Sequence, residues 1–244
     1  MAIKAVSFDF WNTLFTEPAD GFRFYAYRRY SMLSDAVSEH RPVTDDEIRL
    51  ACHAEAQHHH SVWITEHRTL GVEERVSNCL IHLNVTLPPA RISDLAQSFE
   101  EGLLERPPIL VEGAGETIDY LSRKYRLGII SDVGFSPGRI LRQVMRQAGV
   151  IDAFDSLVFS DEAGHSKPHR DVFLVTSQAL GSPAGEMAHV GDLEHTDVVG
   201  AKKAGYRAIR FVGVTPMTEA EESIADAVTP DLRDVPELLR GFDS

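Results

Sequence analysis

The chain lacks most of the features that assign a protein to a specialised class. Its 244 residues include only two cysteines, Cys52 and Cys79. Two thiols cannot make a disulfide framework, which predicts free thiols in a reducing, cytoplasmic setting. No apolar run is long enough to span a membrane. The opening MAIKAVSFDF is too short, and acquires its acid too early, for a secretory signal. Internal repeats and low-complexity tracts are missing, apart from the internal triplet His58-His59-His60. Basic blocks are missing too, and the formal charge is −13. That balance argues against a nucleic-acid backbone as partner, and a bound cation can offset part of the surplus acid.

What remains is ordinary globular composition, 43% hydrophobic and 25% charged, at a length that fits one large domain or a core with a smaller insert. Mostly apolar runs at Ala5–Phe8, Leu127–Ser131, Ser156–Phe159, Ala188–Gly191 and Ala208–Val212 read as strands buried on both faces. Helical stretches lie between them. Ser136-Pro137 offers a cap and first-turn proline for a helix through Gln147. Arg170–Leu180 and Thr196–Ala204 end at Gly181 and Gly205. This alternation predicts a doubly wound α/β fold, whose functional groups gather at the carboxyl ends of the strands.

Residues 17–106 break the rhythm. Helical patterns at Phe22–Glu39, Thr44–His60, Val72–Leu83 and Pro89–Leu104 follow one another without a convincing strand. Thr44 to Glu47 has the form of a capping box. The pattern predicts a separate helical domain, residues 17–106, inserted in a core of residues 1–16 and 107–244. Gly21 and Pro107-Pro108 are the expected hinges.

Four strand ends deliver polar groups: Asp9, Ser131, Lys167, and the pair Asp192 and Asp197. In a parallel sheet they share one crevice. A hydroxyl and an ammonium suit phosphate oxygens, and carboxylates suit a hard cation such as Mg²⁺.

These residues carry a resemblance. Asp9-Phe10-Trp11-Asn12-Thr13 is similar to D-x-D-x-T, and Ser131 resembles the strand-end serine of a second motif. Lys167-Pro168, with Glu162, Gly164 and Phe173 at matching offsets, resembles the third, and Gly191-Asp192 to Asp197 the fourth. Gly200 to Gly205 also matches. By these motifs the chain is identified as a member of the haloacid dehalogenase superfamily of hydrolases, with residues 17–106 as its cap. The resemblance implies a nucleophile, Asp9, that becomes an aspartyl phosphate. It implies Mg²⁺ held by Asp9, the Trp11 backbone carbonyl and Asp192, with Asp197 in or near the coordination sphere. Ser131 and Lys167 would hold phosphoryl oxygens, with Thr13 and Asp132 either beside them or bracing their loops. The expected substrate is a small phosphorylated metabolite, met by a monomer or homodimer away from membranes and nucleic acid.

One position departs from that pattern. Trp11 stands where most phosphatases of this family carry an acid/base, worth roughly 10²–10⁴-fold, and an indole N–H cannot replace it. One reading is a phosphatase that favours good leaving groups or borrows a proton carrier from His58, His59 or His60. A second is a 2-haloacid dehalogenase, which needs neither metal nor leaving-group proton and in which Arg28 or Arg29 would meet the halide or carboxylate. Asp132, Phe173 and Gly191-Asp192 all depart from that subfamily's pattern. A third is a disabled site that binds a phosphorylated ligand without turnover. The retained Asp9, Lys167 and Asp192 favour the phosphatase.

Overall fold

The computed structural model describes residues 2–218 and 222–242. In chain order the sheet and its first connection are β1 (Ala5–Phe8) and β2 (Phe15–Thr16). Four helices follow: α1 (Gly21–Ser38), α2 (Asp45–Glu66), α3 (Val72–His82) and α4 (Pro89–Glu101). The chain returns through β3 (Ile109–Leu110), α5 (Ala114–Ser122) and β4 (Arg126–Ser131), then α6 (Gly138–Gln147), β5 (Ser156–Phe159) and α7 (Ser160–Ala163). It closes with α8 (Arg170–Ala179), β6 (Met187–Gly191), α9 (Val199–Ala204), β7 (Arg207–Phe211), β8 (Ala227–Thr229) and α10 (Val235–Gly241).

Six of these strands form one sheet in the order β5-β4-β1-β6-β7-β8, and every pair is parallel. Central strands of such a sheet are covered on both faces, which is why β1 and β6 are buried at every position. The order reverses at β1, which lies between β4 and β6. That reversal opens a crevice at the carboxyl ends, the usual ligand position in open α/β sheets. Phe8 stands level with Ile129 of β4 and Val190 of β6, so Asp9 emerges into the crevice beside Ser131 and Gly191-Asp192. The predicted doubly wound α/β fold is the observed one.

The helices α1 to α4 bury a hydrophobic cluster of their own, including Leu33, Val37, Ile48, Val76, Leu80 and Phe99. Among the described residues, none from 17 to 106 lies in a strand. Thr44 accepts from the Glu47 N–H at 3.3 Å while Glu47 accepts from the Thr44 N–H at 2.8 Å, so the capping box forms as the sequence indicates. The two connections to the sheet run side by side, with β2 and β3 paired antiparallel and the Tyr25 hydroxyl donating to the Arg106 carbonyl. From the sheet side, Phe135 in the loop after β4 packs against the helical cluster.

Three local expectations shift. Helix α2 continues six residues past His60, because Val62 in its last turns is buried. Pro137 takes the cap position itself, since Ser136 donates to the Glu100 carbonyl instead. A wide π-helical turn over Glu194–Val198 delays α9 to Val199.

Inside the helical segment, Arg75 and Glu55 form a bidentate ion pair at 2.7 and 2.9 Å, with both side chains almost fully buried. Removing one partner leaves a buried charge uncompensated. Glu55→Ala is therefore expected to cost about 3–5 kcal/mol in urea unfolding, and adding Arg75→Met should recover most of that loss. Additive losses in the double variant would show that the pair is not the cause.

Candidate active site

The site begins with the turn after β1. Phe10 stacks on Phe15 at 4.4 Å between ring centroids, and the Leu14 and Phe15 N–H groups donate to the Phe10 carbonyl. Asn12 makes the turn in the left-handed region at φ 54°, a conformation that asparagine tolerates better than most residues. The Asp9 N–H donates to the Val190 carbonyl at 2.8 Å. These contacts fix the backbone on both sides of Asp9 and direct Trp11 into the crevice.

Lys167 reaches the crevice from the loop between α7 and α8. Its Nζ donates to Asp9 Oδ1 at 2.5 Å and to Asp197 Oδ1 at 2.6 Å. Its own N–H donates to Asp132 Oδ1 at 2.9 Å. Asp197 is held from all sides: His189 Nε2 lies 3.0 Å from Oδ1, and Oδ2 accepts from the Leu193 N–H at 3.0 Å. His189 is braced in turn by the Ser7 hydroxyl at 2.9 Å, its register partner on β1. Gly191 permits this approach, because a Cβ there would lie 2.3 Å from Asp197 Cγ.

Six of the eight residues expected from sequence line one cavity of about 380 Å³: Asp9, Trp11, Asp132, Lys167, Asp192 and Asp197. Ser131 and Thr13 are buried outside its lining. The Ser131 hydroxyl donates to the Asp132 carbonyl at 3.2 Å, and the Thr13 hydroxyl is buried without a hydrogen-bond partner. The histidine triplet divides: His58 and His60 are exposed, while His59 lines a second cavity of about 320 Å³. Trp11, Trp63 and Asp132 border both cavities.

Sequence reasoning missed two contributors. His189 carried no motif of its own, and only its place two residues before Gly191 on an inward strand position could have suggested it. Trp63, on α2, carries no motif either, and its Nε1 donates to Asp132 Oδ2 at 2.9 Å.

The charges in the crevice do not balance. Buried Asp9, Asp192 and Asp197, with half-buried Asp132, share one ammonium. Burial lifts the Asp9 carboxyl well above the usual range against the pull of Lys167, and Asp197 and Asp192 push it the same way. Burial and Asp197 push Asp192 up to about 7. Burial alone would raise Asp197 as well, but Lys167 and His189 hold it below the ordinary value. Burial also works against the Lys167 ammonium, and Asp197, Asp9 and Asp132 outweigh it. His59 is pushed down to about 3 by burial and Arg75, so it is uncharged at neutral pH and has no proton to spare as an acid.

Comparison with known proteins agrees with this geometry. Residues 3–205 match the haloacid dehalogenase-like hydrolase family. The chain belongs to that family. A glyceraldehyde 3-phosphate phosphatase of Pyrococcus abyssi is 34% identical over 87 residues, 36% of this chain and 35% of that protein. A protein named probable phosphatase IndB, from Dickeya dadantii, is 34% identical over 119 residues, 48% of this chain and 49% of its own length. The matched stretches thus span half or less of these two relatives. In fold, a 2-haloacid dehalogenase from Pseudomonas syringae pv. Tomato DC3000 superposes with a TM-score of 0.73 at 22% identity, covering 98% of this chain and 99% of that one. Among the described residues, no helix is long and apolar enough to cross a membrane.

The raised Asp192 carboxyl gives a signed pH effect. A carboxyl whose folded pKa exceeds its unfolded value of 3.8 contributes stability below that value and loses it as pH rises through about 7. Chelator-treated protein is therefore expected to melt lower at pH 8 than at pH 5, and Asp192→Asn should flatten that fall. Parallel melting curves for the two proteins across this range would contradict the raised carboxyl.

Proposed function

We propose that the protein is a Mg²⁺-dependent phosphatase of small phosphorylated metabolites, with Asp9 as nucleophile. The observation that carries this reading is the Lys167 ammonium, buried between Asp9 and Asp197 in a crevice that keeps Asp192. The two relatives named as phosphatases support it.

The donor set fits a hard divalent cation: every candidate ligand is oxygen, and the crevice holds more carboxylate than one ammonium can offset. Asp9, Asp192 and the Trp11 backbone carbonyl would hold Mg²⁺, which when bound neutralises carboxylate and phosphoryl charge. Asp197 serves better as the group that orients Lys167, because both its oxygens already have protein partners.

In the reaction, an Asp9 carboxylate oxygen attacks phosphorus and the bond to the leaving oxygen breaks. The Lys167 ammonium stabilises negative charge on the phosphoryl oxygens. Ser131 joins it once its hydroxyl turns away from the Asp132 carbonyl. Water then displaces Asp9 from the aspartyl phosphate and releases inorganic phosphate. No proton donor stands at Trp11, so the leaving oxygen departs as an anion or takes its proton from water. Residues 17–106 act as a cap that closes the crevice, hinged near Gly21 and Pro107-Pro108.

Trp11 favours one alternative, carboxylate attack on a 2-haloacid, where the leaving halide needs no proton. Asp192 argues against it, because that chemistry leaves the surplus carboxylates without a use.

Release of p-nitrophenol from p-nitrophenyl phosphate, followed through the first turnover, separates the two. Expected are release that needs Mg²⁺, loss to background in Asp9→Asn, and a burst if aspartyl-phosphate hydrolysis is slow. Halide release from 2-chloropropionate in chelator, without p-nitrophenol release, would establish the dehalogenase instead.

A further inference from the structure

The second cavity holds an unusual pair of polar groups. Helix α1 carries two neighbouring arginines with different fates. Arg28 is spent on structure: it donates to Glu105 at 2.8 Å and to the Ser98 carbonyl at 2.6 Å. Among the described residues Arg29 has no hydrogen-bond or ion-pair partner; its guanidinium lies over the Phe135 ring, 4.4 Å from the centroid. It lines the cavity together with His59, whose Nδ1 is buried without a partner. Arg29 thus offers the cavity a guanidinium with no protein acceptor, and His59 presents its ring to the same lining while its Nδ1 is buried out of reach.

Their neighbours do not supply the missing acceptor. Arg75, 3.5 Å from the Phe135 ring centroid, is paired with Glu55. Glu17 lines the cavity but makes no ion pair with Arg29, and burial raises its carboxyl. The Tyr25 hydroxyl is committed to the Arg106 carbonyl. Burial and Arg75 push Arg29 down to about 10, which leaves it charged at neutral pH. Phe22, Phe99, Leu103 and Phe135 complete a largely apolar wall. The cavity meets the crevice at Trp11, Trp63 and Asp132.

We propose that this cavity is a second anion subsite, in which Arg29 and His59 hold a negatively charged group on the leaving-group end of the substrate. The substrates are then phosphomonoesters that carry a second anionic group, a carboxylate or another phosphoryl group, on a short apolar body. The inference rests on the phosphatase reading of the crevice and assigns Arg29 as a specificity-determining residue.

The test is equilibrium binding, so it does not depend on turnover. Calorimetry with Mg²⁺ present would compare ω-phosphonocarboxylates of two to six carbons with their carboxyl methyl esters, and the matching α,ω-bisphosphonates with their esters at one end. At least one free acid is expected to bind roughly 10- to 100-fold more tightly than its own ester, as a charge-assisted hydrogen bond supplies. Arg29→Met should erase that advantage, bringing acid and ester to equal affinity. Whichever end group gains more identifies the class of anion. Acids that bind no better than their esters, or an advantage that survives Arg29→Met, would overturn the subsite. If p-nitrophenol release is present in that case, the phosphatase reading stands and only the subsite falls. If release is absent and no phosphonate binds, both fall together.

Discussion

The arrangement depends on one ammonium among acids. Lys167 Nζ touches Asp9 and Asp197 at once, and its N–H fastens Asp132. Without that positive charge, the carboxylates at the ends of β1 and β6 would repel one another in a low-dielectric crevice. With it, Asp197 stays ionised and becomes the fixed point on which Lys167 is aimed. The order of the sheet makes this possible, because the strand ends that flank β1 converge where the connectivity reverses. Much of what surrounds the ammonium is organised to hold its partners still. His189 on β6 and Ser7 on β1 brace Asp197, and the absence of a side chain at Gly191 lets Asp197 come so close.

The helical segment takes part in this arrangement. Trp63, near the end of α2, donates to Asp132, which accepts in turn from the Lys167 backbone. Ser166, one residue earlier, donates to the His67 carbonyl at 2.7 Å, and Thr69 lies 2.6 Å from the Ser160 hydroxyl. Two of these contacts hold the loops that carry Asp132 and Lys167 directly, and the third reaches Ser160 at the start of α7, whose hydroxyl accepts from the Val133 N–H. Seating of these helices and positioning of the ammonium are coupled by these hydrogen bonds. A cap that swings on residues near Gly21 and Pro107 would thus adjust the crevice as well as cover it.

The sequence carried the frame of the molecule because that information is local. Apolar runs ending in a polar residue identify buried strands, and the five expected strands differ from the observed ones by at most one residue at an end. Strand ends also gather Asp9, Ser131 and Asp192 without any knowledge of side-chain contacts. Other features are not local and were not legible. His189 and Ser7 are 182 residues apart, and Trp63 meets Asp132 across 69. Nothing in the string FRFYAYRRY separates Arg28 from Arg29. Both line the second cavity, and only packing shows that the first is tied to Glu105 and Ser98 while the second stacks on Phe135. The hydroxyls of Ser131 and Thr13 show the opposite limit: the motif sets both beside the strand ends, but both are buried outside the cavity lining, with Ser131 donating to the Asp132 carbonyl.

Trp11 joins these observations. In a crevice rich in carboxylate, one more acid at this position would add negative charge and a proton donor together. The indole adds neither; it forms an apolar wall shared by both cavities, edge-on to Phe10 at 5.1 Å. It also moves the burden of leaving-group stabilisation away from proton transfer. A leaving group whose far end is held by a guanidinium gains binding energy remote from phosphorus, and such energy can be used to position the reacting atoms. A site built this way trades a general acid for a firmly held substrate, which fits the placement of Arg29 beyond Trp11.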